Sequence, residues 1–183
     1  MNDLILMASL LERPKHGYQL KKEAGIIFGG GELHNNMVYP LLRQFQGNGW
    51  VRRRTVPGER GQKRLQYALT EKGHQELIRR LSEDFDAKMR DEAFYLRVGL
   101  FAILSPEVQE KLLKTREEQL QTEKAQIERI RSQYGELDIY PEEVVGFLER
   151  KVEGELGWIK RLRGLETRRG MRRSRLAHCR ELS

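Results

Sequence analysis

One stretch of this chain is patterned as a β-hairpin, and the sequence around it is patterned for helix. Trp50 to Val56 and Lys63 to Leu69 are β-prone runs joined by Pro57-Gly58-Glu59-Arg60-Gly61-Gln62, whose proline and glycines let a chain reverse. An isolated two-stranded hairpin is barely stable in water, so it must rest on neighbouring helices. The residues before it supply three. Leu4 to Leu11, LILMASLL, is too apolar for a surface strand and predicts a buried first helix that stops before Pro14. A second helix is expected from Gly17 to about Ile27. After the break at Gly29-Gly30-Gly31, Asn35 and Asn36 offer N-cap side chains to a third, which reaches about Gln46 and is ended by Gly47 and Gly49.

Within the third helix Val38, Leu41, Leu42 and Phe45 recur at helical spacing and can face a core. That turns Asn36, Pro40 and Arg43 to the opposite side, with Tyr39 and Gln44 flanking them. With Asn36 as the cap, Pro40 is the fourth helical residue, whose missing N–H would have had no partner inside the helix anyway. After the hairpin, Thr70 caps a helix beginning Glu71-Lys72. Three helices and then a hairpin is the order of a winged helix-turn-helix, with Arg60, Lys63 and Arg64 placed where a wing would meet a phosphate backbone.

The second half predicts helix throughout. Phe85, Met89, Ala93, Leu96 and Leu100 step along one face, and Ser105-Pro106-Glu107 caps and starts a long new helix. Its apolar positions thin to Leu113, Leu120, Ile127 and Tyr134, seven apart, as in a narrow coiled-coil seam. After Gly135 and Pro141, Val145, Leu148, Val152, Leu156, Ile159 and Leu162 form a last amphipathic helix that can pair with that seam. Two such helices supply little core, so a homodimer is expected, with Leu113, Leu120, Ile127, Val145, Leu148, Val152, Ile159 and Leu162 as its dimerisation residues.

Charge divides the chain in the same way. Residues 1–82 carry 14 Lys and Arg against 7 Asp and Glu, residues 83–159 carry 11 against 18, and residues 160–183 carry 9 against 2. The expected layout is a DNA-binding domain at 1–82, a helical dimerisation domain at 83–165 and a basic tail at 166–183, helical or disordered. The fold class is mainly α with a small β-hairpin wing: an N-terminal winged helix-turn-helix plus a C-terminal α-helical dimerisation arm. The single Cys179 cannot form an internal disulfide, Met1 leads into Asp3 rather than a signal peptide, and no apolar run nears the ~18 to 20 residues of a membrane span. A cytoplasmic protein without a membrane role is the expectation.

Catalysis finds no support. His16, His34, His74 and His178 are scattered, there is no nucleophile elbow or phosphate loop, and His178 beside Cys179 is not a metal site. No enzyme activity, cofactor or metal is expected. Trp50, Phe85, Phe94, Tyr95, Phe101 and Trp158 could line an effector pocket, although a core role suits most of them better.

The residues also resemble a known family, the PadR-type bacterial transcription regulators, in the branch with a long helical C-terminal region. The likeness starts in LILMASLLERPKHGYQLKKE, where His16-Gly17-Tyr18-Gln19-Leu20 resembles an HGYEL signature. It continues through MVYPLLRQFQGNGWV at 37–51, similar to the family's recognition helix, and through Arg60-Gly61-Gln62-Lys63-Arg64 and YALTEKG at 67–73, similar to its wing. Leu104-Ser105-Pro106-Glu107 and the long helices resemble its C-terminal module, so the likeness covers about residues 1–165. The chain departs from the pattern in its glycine-rich connector, in Asn36-Met37 before Tyr39-Pro40, and in Gln62, where a proline is usual. The resemblance implies a dimeric regulator, usually a repressor, that binds an inverted-repeat operator in double-stranded DNA and in some members releases it to a small-molecule effector.

On this reading Asn36, Tyr39, Arg43 and Gln44 face the major groove, where Arg suits guanine and Asn or Gln suits adenine. Arg60, Lys63 and Arg64 meet the backbone, with Tyr18 and Lys21 as further phosphate contacts. The plain alternative is a solvated helix face and an ordinary charged turn. A different class also fits: a non-catalytic helical adaptor whose basic segments bind anions incidentally.

Overall fold

A computed structural model describes residues 1–27, 35–57, 63–83, 91–135 and 137–181, and only the backbone at 23–27, 35 and 166–181. The chain packs as two compact units, Met1–Gln109 and Glu110–Ser183. This packing boundary differs from the expected functional division at 82/83, because Leu96, Leu100 and Leu104 join the core of the first unit.

The first unit runs α1 (Asn2–Ala8), β1 (Lys15–His16), α2 (Gly17–Ile27), α3 (Asn35–Gly47), β2 (Val51–Pro57), β3 (Lys63–Leu69), α4 (Glu71–Ser82) and α5 (Asp91–Gly99), then a short 3-10 turn at Phe101–Ile103. Leu6, Leu20, Val38, Leu42, Phe45, Val51, Leu77 and Leu81 are buried together at its centre. Burying each such side chain contributes roughly 1.5 to 3 kcal/mol, which offsets the entropy of ordering so short a set of elements. The hairpin is antiparallel from Val51↔Leu69 to Pro57↔Lys63. The sheet holds one strand more than expected: β1 joins β3 through Lys15↔Tyr67 and His16↔Gln66, giving the order β1-β3-β2. Helix α1 ends at Ala8 rather than Leu11, where Ser9 closes the last turn by donating its hydroxyl to the Leu6 carbonyl at 2.8 Å.

Helix α3 begins at Asn35, so Asn36 lies inside the helix instead of capping it. Pro40 is therefore deeper than expected, and its ring removes the N–H that would have reached the Asn36 carbonyl. The helix survives because three inward side chains, Val38, Leu42 and Phe45, are each 1% exposed. Tertiary packing decides the outcome over local propensity.

A latch fixes the hairpin to α4. The Thr70 hydroxyl oxygen accepts the Gly73 N–H at 3.0 Å, the N-cap geometry expected of it. The same hydroxyl lies 2.7 Å from the Gly49 carbonyl, and the Thr70 N–H donates to the Trp50 carbonyl at 2.9 Å. At Gly73 the helix passes so close to Trp50 that a Cβ would sit 2.1 Å from that carbonyl oxygen. The Trp50 ring in turn lies 5.9 Å from Phe45, with the Arg80 guanidinium 4.7 Å above it.

The second unit is an antiparallel helical hairpin of α6 (Pro106–Tyr134) and α7 (Ile139–Glu181). Ser105 caps α6 by accepting the Val108 N–H at 3.4 Å, and Gly135, at φ 63°, ends it. Helix α7 starts before Pro141 rather than after it; in the first turn a proline forfeits no intrahelical bond. It also runs on to Glu181, so the expected tail continues the helix.

Ion pairs set the register of the hairpin: Arg163 with Glu110 and Glu117 at 3.1 and 2.8 Å, Arg116 with Glu155 at 2.7 Å, and Arg131 with Glu149 and Glu142 at 2.6 and 2.9 Å. That register brings Leu113 level with Ile159, Leu120 with Val152 and Ile127 with Val145, and all six are buried. Leu148 and Leu162 are half-buried. The pairing expected of the last helix with this seam is thus made within one chain.

Candidate nucleic-acid interface

The site is assembled around residues 16–19. His16 stands at the start of α2, and the Gln19 side chain reaches back to accept its backbone N–H at 3.0 Å, half of a capping box. The His16 ring makes a 3.0 Å hydrogen bond to the Leu65 carbonyl; since a carbonyl only accepts, Nδ1 carries the hydrogen. Gly17 is buried because the Tyr39 ring lies against it: a Cβ at this position would be 3.0 Å from Tyr39 Cε1. Tyr18, the next residue, is 69% exposed. The HGYQ sequence therefore couples the start of α2, strand β3 and the outer side of α3.

These elements enclose a cleft of about 610 Å³ lined by His16, Tyr18, Tyr39, Arg64, Leu65 and Tyr67. Three of the expected contact residues, Tyr18, Tyr39 and Arg64, meet here. Tyr39 is 43% exposed, and Asn36, Arg43 and Gln44 are exposed along the same helix. Lys63 is exposed where β3 begins, and Lys21 is half-buried on α2. Arg60 lies outside the described residues.

Tyr67 forms the floor. Burial pushes its hydroxyl above the usual phenol range, against the lowering charges of Arg53 and Arg43 and a hydrogen bond with Arg53, while Tyr39 adds to the rise. Both arginines thus lie within electrostatic reach of the cleft floor. Arg53 belongs to a run that sequence reasoning passes over, Arg52-Arg53-Arg54 in β2, all exposed. The period of two would have found it: Arg53 pairs with Tyr67 across the ladder, and paired residues share a face. Of the three, Arg53 shares the face of Tyr67 at the aromatic-lined cleft, while alternation turns Arg52 and Arg54 to the other face of the hairpin. Donors that suit phosphate and flat rings that suit sugars and bases thus lie together.

Among the described residues no group of three or more His, Cys, Asp and Glu is placed to hold a metal ion, and no helix is long and apolar enough to cross a membrane. Of the aromatic set considered for an effector, Phe94 is fully buried, Trp50 and Phe101 pack on the core of the first unit, and Phe85 lies outside the described residues.

Fold and site together define a winged helix-turn-helix protein, mainly α, with a small antiparallel sheet as its wing and a C-terminal helical arm. Residues 6–79 match the transcriptional regulator PadR-like family, and the chain belongs to it. Among solved structures, TA0346 of Thermoplasma acidophilum is 30% identical over 42% of this chain and 72% of its own, with a TM-score of 0.38. A transcriptional regulator from Clostridium thermocellum is 22% identical over 43% of this chain and 76% of its own, with a TM-score of 0.39. Bacillus subtilis PadR in complex with operator DNA is 18% identical over 89% of this chain and 97% of its own, with a TM-score of 0.42. No curated protein matches the chain.

Proposed function

We propose that this regulator binds double-stranded DNA with sequence preference as a homodimer, acting as a repressor at an inverted-repeat operator. The observation that carries this reading is the meeting of Tyr18, Tyr39 and Arg64 at one cleft, with Arg43 exposed on the same helix as Tyr39. Helix α3 enters the major groove, Arg43 and Gln44 offer hydrogen bonds to base edges, and Asn36 and Tyr39 lie nearer the helix N-terminus. Tyr18, Lys21, Lys63, Arg64 and Arg53 hold the phosphates. Arg60 extends that contact from the wing loop. The division of labour at 82/83, with base readout before it and assembly after it, belongs to the same proposal.

The dimer needs a surface other than the hairpin seam, and α7 supplies one. Tyr140, Val144 and Phe147 follow one another at helical spacing, with Val144 57% and Phe147 59% exposed. Side chains of this kind are normally covered, and a second copy of α7 covers them by a two-fold contact. A small molecule that releases the DNA completes the reading, in keeping with the family resemblance.

The test starts from host genomic fragments selected by the purified protein and follows affinity against salt. Operator binding should weaken steeply with salt and keep its preference over unrelated duplex. Arg43→Ala should cost about 1 to 3 kcal/mol on the operator while leaving the fold intact. A wild-type chain that prefers no fragment at moderate salt would overturn the reading in favour of an adaptor.

A further inference from the structure

The strongest unassigned feature is the end of α7. Arg163 pairs with Glu110, four residues beyond the start of α6 at Pro106. The helix continues to Glu181, and residues 166–181 contain Arg168, Arg169, Arg172, Arg173, Arg175 and Arg180 against Glu166 and Glu181.

Helical period sorts these charges. At about 100° per residue the six arginine positions fall within one sector of about 160°, and both glutamate positions fall outside it. Arg168 and Arg180 are about 18 Å apart along the axis. The positions of Leu176 and Cys179 fall inside the same sector, and the remaining one holds Thr167, Gly170, Met171, Ser174, Ala177 and His178, so neither sector carries the apolar stripe a helix needs to lie in a membrane interface. A helical backbone whose arginine positions share one sector suits a polyanion whose charges recur about every 1.7 Å of axis, as in duplex DNA.

We propose that residues 166–181 are a second DNA grip, contacting backbone phosphates without reading sequence. This rests on the DNA-binding reading above and adds to it an affinity element separate from the winged helix. Arginine suits the task because its planar fork pairs with phosphate oxygens bidentately. The grip raises affinity for operator and unrelated duplex alike, so it alters affinity and leaves preference unchanged.

The experiment uses the full chain with all six arginines changed to Gln, a residue of similar helix propensity, and a second variant with all six changed to Lys. Helix content and oligomeric state are checked first by circular dichroism and sedimentation. Fluorescence anisotropy then follows binding to the selected operator and to an unrelated duplex from about 50 to 200 mM salt, a range over which phosphate contacts dominate affinity. For the Gln variant we expect affinity on both duplexes to fall at least about tenfold at low salt, and the slope of log affinity against log salt to drop by about 0.9 for each phosphate no longer neutralised. The operator preference should be unchanged, and the Lys variant should keep the wild-type slope.

An unchanged slope and affinity in the Gln variant overturns the proposal. So does a loss confined to RNA or to vesicles of anionic lipid, measured alongside. A wild-type chain that binds neither duplex would sink this inference and the DNA-binding reading together, whereas a wild-type chain with normal operator preference and a silent Gln variant sinks this one alone.

Discussion

The buried Arg116–Glu155 pair gives the sharpest test of the helical hairpin. Both side chains are 6% exposed, and two parallel hydrogen bonds join them: Nε to Oε1 at 2.7 Å and Nη2 to Oε2 at 2.9 Å. They occupy a core layer of the seam between the Leu113–Ile159 and Leu120–Val152 levels. For charge centres about 4 Å apart at an effective dielectric of about 20, their attraction is about 4 kcal/mol, of the same order as the desolvation it opposes. Removing one partner alone loses the attraction and keeps the other's desolvation. Arg116→Met or Glu155→Leu should therefore each cost about 3 to 5 kcal/mol, whereas the two together should return to within about 1 kcal/mol of wild type or exceed it. The chain's two tryptophans are Trp50 and Trp158, so a Trp50→Phe background leaves one indole on α7, three residues from Glu155. Urea titration of Trp158 fluorescence then reports the arm. Single variants that cost under about 1 kcal/mol, or a cycle with no coupling, would refute the claim that this pair sets the register.

Gly73→Ala should destabilise the first unit by at least about 2 kcal/mol, because backbone on both sides prevents relief of the clash; circular dichroism melting checks it, and a wild-type midpoint would show that the Trp50 latch yields. Leu120→Ala should cost about 2 to 5 kcal/mol of arm stability, whereas Phe147→Glu should leave stability nearly unchanged and give monomers in sedimentation. A dimeric Phe147→Glu protein would move the proposed interface elsewhere. Glu76 receives hydrogen bonds from Arg79 and Arg80 and is held down to about 2, Arg79 being the larger cause. Its folded value lies below the unfolded one, so the stabilisation is fully present above about pH 4.5 and is lost as pH falls toward 2. Glu76→Gln should flatten the acid limb of stability against pH, and an unchanged limb would show that other carboxylates set it.

Elements announced by local chemistry were legible in the sequence: the turn residues of the hairpin, the Thr70 cap, the Ser105-Pro106 start and the helical spacing of Val38, Leu42 and Phe45. Elements defined only by a distant partner were not. A two-residue strand such as β1 has no period of its own and exists because β3 lies beside it. The pairing of α7 with the Leu113, Leu120 and Ile127 stripe was legible as a possibility, but the ion pairs that fix its register, such as Arg116 with Glu155, join residues far apart in sequence. Of the two states expected of the basic tail, the helical one is found as far as Glu181, because the glycines at 164 and 170 weaken a helix without stopping it. At the site, spacing identified the outer side of α3, but the contact between Gly17 and Tyr39 joins residues 22 apart and leaves no local trace.

That contact also bears on how recognition could change over time. The aim of Tyr39 is fixed by a neighbour that has no side chain, and a Cβ at position 17 makes the ring tip give way by a few tenths of an ångström. New binding preferences can then arise from α2 while every residue of α3 is retained. A selection for variants that accept an altered operator should accordingly return changes at 16–19 alongside those in the helix proposed to make the contacts.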